Sequence, residues 1–286
     1  MAPDPFQHDH AALVARLRAA GCVYAEDEAD LLTAAAGSPQ ALAALTDRRV
    51  AGEPLEHLLG WAEFCGRRVA VDPGVFVPRA RTALLVEAAA SVAGPAPALV
   101  DLCCGSGAIS VALVDRLAPR WLAAVDVDPA AVDCARRNLA GRDVTVVQGD
   151  LYDPLPPDWR GRLDVVVANA PYVPTPAVAL LPAEARLHEA SVALDGGTDG
   201  LTVLRRVAAG AVDWLRPGGH LVVEVSAGQA EALCTAMTGL GLLPTVLRAE
   251  EWDATGVLAR RPDRVGPESG RSGRVGPESG RSGRSG

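Results

Sequence analysis

The chain has 286 residues, 49% of them hydrophobic, with a mean hydropathy of +0.16, a formal charge of −8 and a pI near 5.2. That is enough apolar material for one large domain, or a domain with a smaller companion, and it excludes a chain disordered throughout. The acidic balance also argues against direct nucleic-acid binding, which relies on a positive field to meet phosphates.

Residues 8–60 read as short helices. Leu13, Val14 and Leu17 share one face of the first, which stops at Gly21. The acidic AEDEADLL opens a second, ending near Gly37. Ser38 followed by Pro39 is an N-cap with proline at the first helical position, and Leu42 and Leu45 follow behind it. Residues 67–78, RRVAVDPGVFVP, switch to alternation around Pro-Gly and suggest a short β-hairpin. A helix over 81–93 comes next.

From residue 98, apolar runs alternate with helical stretches. Strands are expected at 98–104, 121–127, 144–148, 163–169, 220–226, 244–249 and 256–260, with helices near 107–118, 129–140, 199–215 and 228–240. Fully apolar strands separated by helices mean a parallel sheet covered on both faces. The last two strands have no helix between them, so one should run antiparallel. The expected fold is α/β: an open, mostly parallel sheet of about seven strands. The expected division is a helical domain over 1–66, a hairpin linker over 67–80, a sheet domain over 81–263 and a disordered tail over 264–286. That tail carries RVGPESGRSG twice in succession and has too little apolar surface to order itself.

No charge-free apolar run reaches the roughly 18 residues of a membrane span, and the N-terminus lacks the pattern of a signal peptide. Cys22, Cys65, Cys103, Cys104, Cys134 and Cys234 form no CxxC pair and no zinc spacing with His, which suggests reduced thiols in the cytoplasm and no metal. His57 and His188 read as structural histidines.

In an open sheet, ligands sit beyond the carboxyl ends of the strands. The first strand ends in Asp101-Leu102-Cys103-Cys104-Gly105-Ser106-Gly107 and a helix opens at once. Its glycines let the backbone approach a ligand where the helix offers free N–H groups. The next strand ends in Asp126, whose carboxylate can accept both hydroxyls of a ribose. After the third come Asp150, able to take an adenine amino hydrogen, and Leu151. A dinucleotide site would want a third glycine, but that position is Ser110, which favours a methyl-donor nucleoside over NAD.

The fourth strand ends in Asn169-Ala170-Pro171-Tyr172. An amide nitrogen is a poor nucleophile because its lone pair is delocalised. The Asn169 side-chain oxygen and a backbone carbonyl can accept its two hydrogens and aim it, which is catalysis by positioning. Pro171 would stiffen the loop and Tyr172 would wall the planar group.

These residues resemble the class I methyltransferases with an (Asp/Asn/Ser)-Pro-Pro-(Tyr/Phe) motif, and among them the release-factor glutamine N5-methyltransferase family. The resemblance extends to PLEHLLGWAEFCG from Pro54, VDPGVFVPRARTALLVE from Val71, and Asp195-Gly196-Gly197-Thr198-Asp199-Gly200-Leu201 with Arg205. It implies that Asp101, Cys103 to Gly107, Asp126, Asp150, Leu151 and Asn169 meet S-adenosylmethionine. It likewise implies that Asn169 to Tyr172 hold a protein glutamine, on a release factor or another protein partner, and that Glu189 lies near the same pocket. The chain departs from the family pattern at Ala170, usually Pro, at Arg81 and Ala83, usually acids, and at Ala190. Those departures suggest a paralogue with an altered substrate surface. Two other readings are an amino-methyltransferase acting on a nucleic-acid base and a donor-binding scaffold without catalysis.

Overall fold

A computed structural model describes residues 5–263, so the repeat tail expected over 264–286 lies outside the described residues. Four helices come first: α1 (Pro5–Ala19), α2 (Ala25–Ala35), α3 (Pro39–Val50) and α4 (Leu55–Leu59). Leu13, Val14 and Leu17 are buried against Ala25, Ala29 and Leu32, as their helical spacing requires. Ser38 caps α3 by accepting from the Ala41 N–H at 3.1 Å. Arg49 on α3 donates to both Glu28 oxygens, at 2.6 and 3.1 Å, and also to Glu184 far along the chain, tying this helical unit to the rest.

The hairpin is not where alternation suggested. Strands β1 (Trp61–Phe64) and β2 (Arg67–Ala70) pair antiparallel around Cys65 and Gly66, both at positive φ (49° and 71°). A two-residue turn with both φ positive matches the twist of its strands, and cysteine at the first position hides that signal. Pro73-Gly74 does make a turn, closed by the Val75 N–H on the Asp72 carbonyl at 3.1 Å. The chain around it runs extended without a strand partner apart from one bridge, Gly74 to Glu189.

After α5 (Ala83–Val92) come β3 (Ala98–Leu102), α6 (Ala108–Leu117), β4 (Trp121–Asp126), α7 (Pro129–Asn138), β5 (Thr145–Gln148) and β6 (Leu163–Ala168). Short helices α8 (Thr175–Val178) and α9 (Ala183–His188) follow in a stretch with no expected element. The chain then completes α10 (Thr202–Trp214), β7 (Leu215–Glu224), α11 (Ala230–Gly239), β8 (Leu243–Ala249) and β9 (Ala254–Arg260). The seven-stranded sheet has order β5-β4-β3-β6-β7-β9-β8. Strands β3 to β7 pair parallel, while β9 runs antiparallel to both β7 and β8.

Both faces are apolar because both are covered. Leu99, Val165, Val167 and Val222 face Leu85, Ile109 and Leu113 of α5 and α6. Val100, Val166, Leu221 and Val223 face Leu204, Val207, Trp214 and Leu233 of α10 and α11.

Gly210 lies inside α10, where glycine ordinarily costs about 1 kcal/mol relative to alanine. Here a Cβ would stand 2.3 Å from the ring of Tyr152, whose hydroxyl donates to the Val207 carbonyl at 2.8 Å. Crowding should therefore outweigh propensity. Gly210→Ala is expected to lower stability by about 1–3 kcal/mol in urea unfolding. A stabilised variant would show that the ring moves aside freely.

Candidate active site

The loops after β3, β4, β5 and β6 surround one cavity of about 310 Å³. At its floor, the chain leaves β3 through Cys103 (φ 56°), Cys104 and Gly105 (φ 55°). The Gly105 N–H donates to Asp126 Oδ2 at 2.8 Å, and the Asp128 N–H donates to Asp126 Oδ1 at 3.0 Å. Each carboxylate oxygen keeps lone-pair capacity for a further donor. Asp128 also caps α7 through the Ala130 N–H at 2.9 Å.

Asp126, Cys103, Cys104, Gly105, Ser106, Asp150, Leu151 and Asn169 all line the cavity. Leu151 does so with φ at 50°, so it and Cys103 are side-chain-bearing residues held in the left-handed region at the wall. Gly107 does not line it: a Cβ there would meet Ala135 at 3.1 Å and Leu139 at 3.2 Å, so this glycine serves helix packing. Burial pushes the Cys103 and Cys104 thiols up, which disfavours thiolate chemistry.

Asp101 lies beneath the loop, 1% exposed. Its Oδ2 accepts from the Ser110 N–H at 3.1 Å and hydroxyl at 2.7 Å, while Oδ1 is buried with no partner among the described residues. Burial, and then the nearby Asp126 charge, raise its carboxyl to about 7 despite the two hydrogen bonds from Ser110. Asp101 does not itself line the cavity. Its unpartnered oxygen behind the wall and the spare lone pairs of Asp126 on the wall suit a ligand with a cation at one end and nucleoside hydroxyls at the other. S-adenosylmethionine has that character.

Asp150 is shared: Arg206 on α10 pairs with its Oδ2 at 2.7 Å, while Oδ1 keeps its lone pairs at the cavity wall. One expected role needs correction, because Tyr172 does not wall the cavity. Its hydroxyl finds partners behind the loop, donating to Glu224 Oε1 at 2.9 Å and accepting from Arg81 Nη2 at 2.9 Å. The wall at that point is Pro171, while Ala170 is 1% exposed in the core.

The loop is rigid for a reason the sequence motif does not show. A Cβ on Gly196 would stand 2.7 Å from the Pro171 carbonyl, and one on Gly200 (φ 74°) would stand 2.2 Å from the Tyr172 carbonyl. Gln229 Nε2 donates to the Tyr172 and Asp199 carbonyls, both at 2.9 Å. Main chain packed on main chain confines the loop even with alanine at 170. The Ala170 carbonyl accepts no hydrogen bond among the described residues.

Glu189 is also buried: Oε1 accepts from Arg79 at 2.6 Å and from the Val77 N–H at 3.2 Å. It joins the segment after α9 to the linker, so Ala190, Val192 and Pro78 meet at one side of the cavity. His57 is structural, its Nε2 lying 2.9 Å from the Val75 carbonyl. Thr82, Glu224, Gln229 and Arg206 were not read from the sequence as site residues. Glu224 alone left a signal, an acid inside the apolar run HLVVEVS.

A family model described as Methyltransferase small domain matches residues 67–209. The chain is 41% identical over 201 residues to the release factor glutamine methyltransferase of Geobacter sulfurreducens, covering 68% of this chain and 70% of that one. It is 43% identical to the enzyme so named from Moorella thermoacetica (65% and 67% covered) and 34% identical to that from Bradyrhizobium diazoefficiens (86% and 90%). Among solved structures, a Pyrococcus furiosus methyltransferase superposes with a TM-score of 0.52 at 15% identity, covering 69% of this chain and 90% of that one. The ribosomal protein L11 methylase of Lactobacillus delbrueckii gives 0.50 at 16%, covering 67% and 84%. These two likenesses establish the class I methyltransferase fold.

Because the folded protein holds the Asp101 proton more tightly than the unfolded chain, stability attributable to Asp101 should fall as pH rises from about 4 to about 7. The drop should amount to about 4 kcal/mol across that window. Urea unfolding of wild type and Asp101→Asn at several pH values measures it. Parallel pH profiles would rule the effect out.

Proposed function

The chain belongs to the release factor glutamine methyltransferase family, and from that premise we propose that it transfers the methyl group of S-adenosylmethionine to the N5 amide nitrogen of a protein glutamine, that of the Gly-Gly-Gln loop of release factors. The observation carrying this reading is that Asp126 and Leu151, suited to a nucleoside, line the same cavity as Asn169 and Pro171, suited to an amide.

When bound, S-adenosylmethionine supplies an electrophilic methyl group on a sulfonium, which leaves as a neutral thioether. Asp126 would take the ribose hydroxyls, Asp101 would lie near the cationic end, and Leu151 would pack on the adenine. Asn169 Oδ1 and the Ala170 carbonyl would accept the two hydrogens of the substrate amide, fixing the direction of the nitrogen lone pair. These two acceptors stabilise positive charge as the N–C bond forms and the S–C bond breaks. The methylated nitrogen, now strongly acidic, then loses one of its hydrogens to solvent, so no strong base is needed to deprotonate the amide beforehand. Pro171 excludes water from one side.

The four N-terminal helices form a small separate core and leave Val23 and Tyr24 exposed, at 82% and 70%. They are the part we assign to gripping the protein substrate. Among the described residues no helix is long and apolar enough to cross a membrane, and a release-factor substrate would place the reaction in the cytoplasm.

Methyl-labelled S-adenosylmethionine with purified release factor is expected to label the wild-type factor and not a factor whose Gly-Gly-Gln glutamine is alanine. Asn169→Ala should lower kcat by about 10²–10³-fold while the donor Kd stays within about twofold. Equal labelling of both factors would sink the proposal.

A further inference from the structure

Asn169 has a planar amide with a donor at one end and an acceptor at the other, and its proposed role works only if the acceptor faces the substrate. Nothing in Asn169 itself decides this. Its surroundings do.

Thr82 Oγ1 lies 2.6 Å from Glu224 Oε2 and 3.2 Å from Asn169 Nδ2. A carboxylate only accepts, so the single hydroxyl hydrogen of Thr82 must go to Glu224. The Thr82 oxygen then offers Asn169 only lone pairs, and the amide must present its NH2 group there. A flipped amide would set two acceptors against each other at Thr82 and would aim its own hydrogens at the substrate amide. Glu224 is held in turn: Oε1 accepts from Tyr172 Oη at 2.9 Å and from Arg81 Nε at 3.0 Å. Arg81 also donates to Tyr172 Oη at 2.9 Å, closing a ring of partners around a carboxylate only 3% exposed.

The fold brings these groups together from three places. Ala168 and Val223 are register partners on β6 and β7, so Asn169 and Glu224 leave adjacent strand ends side by side. Arg81 and Thr82 come from the turn before α5. Resting on the glutamine-methyltransferase reading for the identity of the substrate, we propose that Thr82 and Glu224, braced by Arg81, are positioning residues that orient the Asn169 carboxamide with its oxygen toward the cavity.

Thr82→Val keeps the shape and removes the hydroxyl. It is expected to lower kcat about tenfold with release factor as substrate, with donor Kd within about twofold, and Thr82→Ser should restore most of the loss. Unchanged kcat in Thr82→Val, or a serine variant as poor as the valine one, would overturn the proposal. If the valine variant does not fold, Arg81→Met tests the same ring from its exposed end, where the arginine side chain is 44% accessible. A kcat loss at unchanged donor Kd supports the proposal, and an unchanged kcat overturns it. The side-chain 15N resonance of Asn169 gives a readout independent of the substrate. It should shift in Thr82→Val and return in Thr82→Ser; no shift overturns the orientation argument even if release factors prove not to be the substrate. Failure of wild type to label any release factor, with the resonance shift present, would count against the substrate reading alone.

Discussion

Everything this protein does at its site depends on one topological constraint, the reversal of strand order between β3 and β6. The chain winds outward from β3 through β4 to β5, then returns to lay β6 on the opposite edge of β3. Crossover connections of one hand then send helices α6 and α7 to one face and α10 to the other. The loops leaving β3 and β6 therefore part rather than cross, and the gap between them is the cavity. One loop brings Gly105 and Ser106, the other Asn169 and Pro171. A donor site and an acceptor site share a wall because two neighbouring strands feed opposite layers.

Three buried acids stand around that gap at a considerable electrostatic cost, Asp126 on its wall and Asp101 and Glu224 behind it. Asp101, Asp126 and Glu224 all stand at or near the carboxyl ends of parallel strands, where burial penalises charge. Each is handled differently. Asp126 accepts two backbone N–H groups, and Glu224 is surrounded by three donors. Asp101 keeps one oxygen without a partner and is correspondingly raised. A buried carboxylate that nothing among the described residues fully satisfies is costly for stability, and its place behind an open backbone loop makes sense if a cationic ligand completes it.

The loop Asn169–Tyr172 illustrates how one mechanical property can be supplied in two ways. Alanine at 170 frees a backbone angle that proline would lock. The loop is confined all the same by close approach of main chain to main chain, which Gly196 and Gly200 permit and Gln229 fastens. Arg81 stands where the family pattern has an acid, and its guanidinium serves the buried Glu224. Of the four departures that pointed to an altered substrate surface, Arg81 therefore has an internal structural role.

The sequence by itself determined the layered sheet and most of the donor half of the site. Continuous apolar runs can be satisfied only by burial on both faces, and a glycine loop at a strand end followed by an acid at the next strand is a local pattern. It also singled out Asn169, which lines the cavity, because the motif is contiguous. Tertiary structure alone decided the hairpin at 61–70, whose turn is set by backbone conformation at Cys65 rather than by a familiar residue pair. It alone decided that Arg206 pairs with one oxygen of Asp150 and that Tyr172 turns away from the cavity. And it alone brought Thr82 Oγ1 to the Asn169 Nδ2 group. The last three outcomes depend on hydrogen-bond partners 52 to 143 residues apart in the chain, such as Thr82 and Glu224 (142 apart) or Asp150 and Arg206 (56 apart), and no local pattern encodes a partner that only folding brings near.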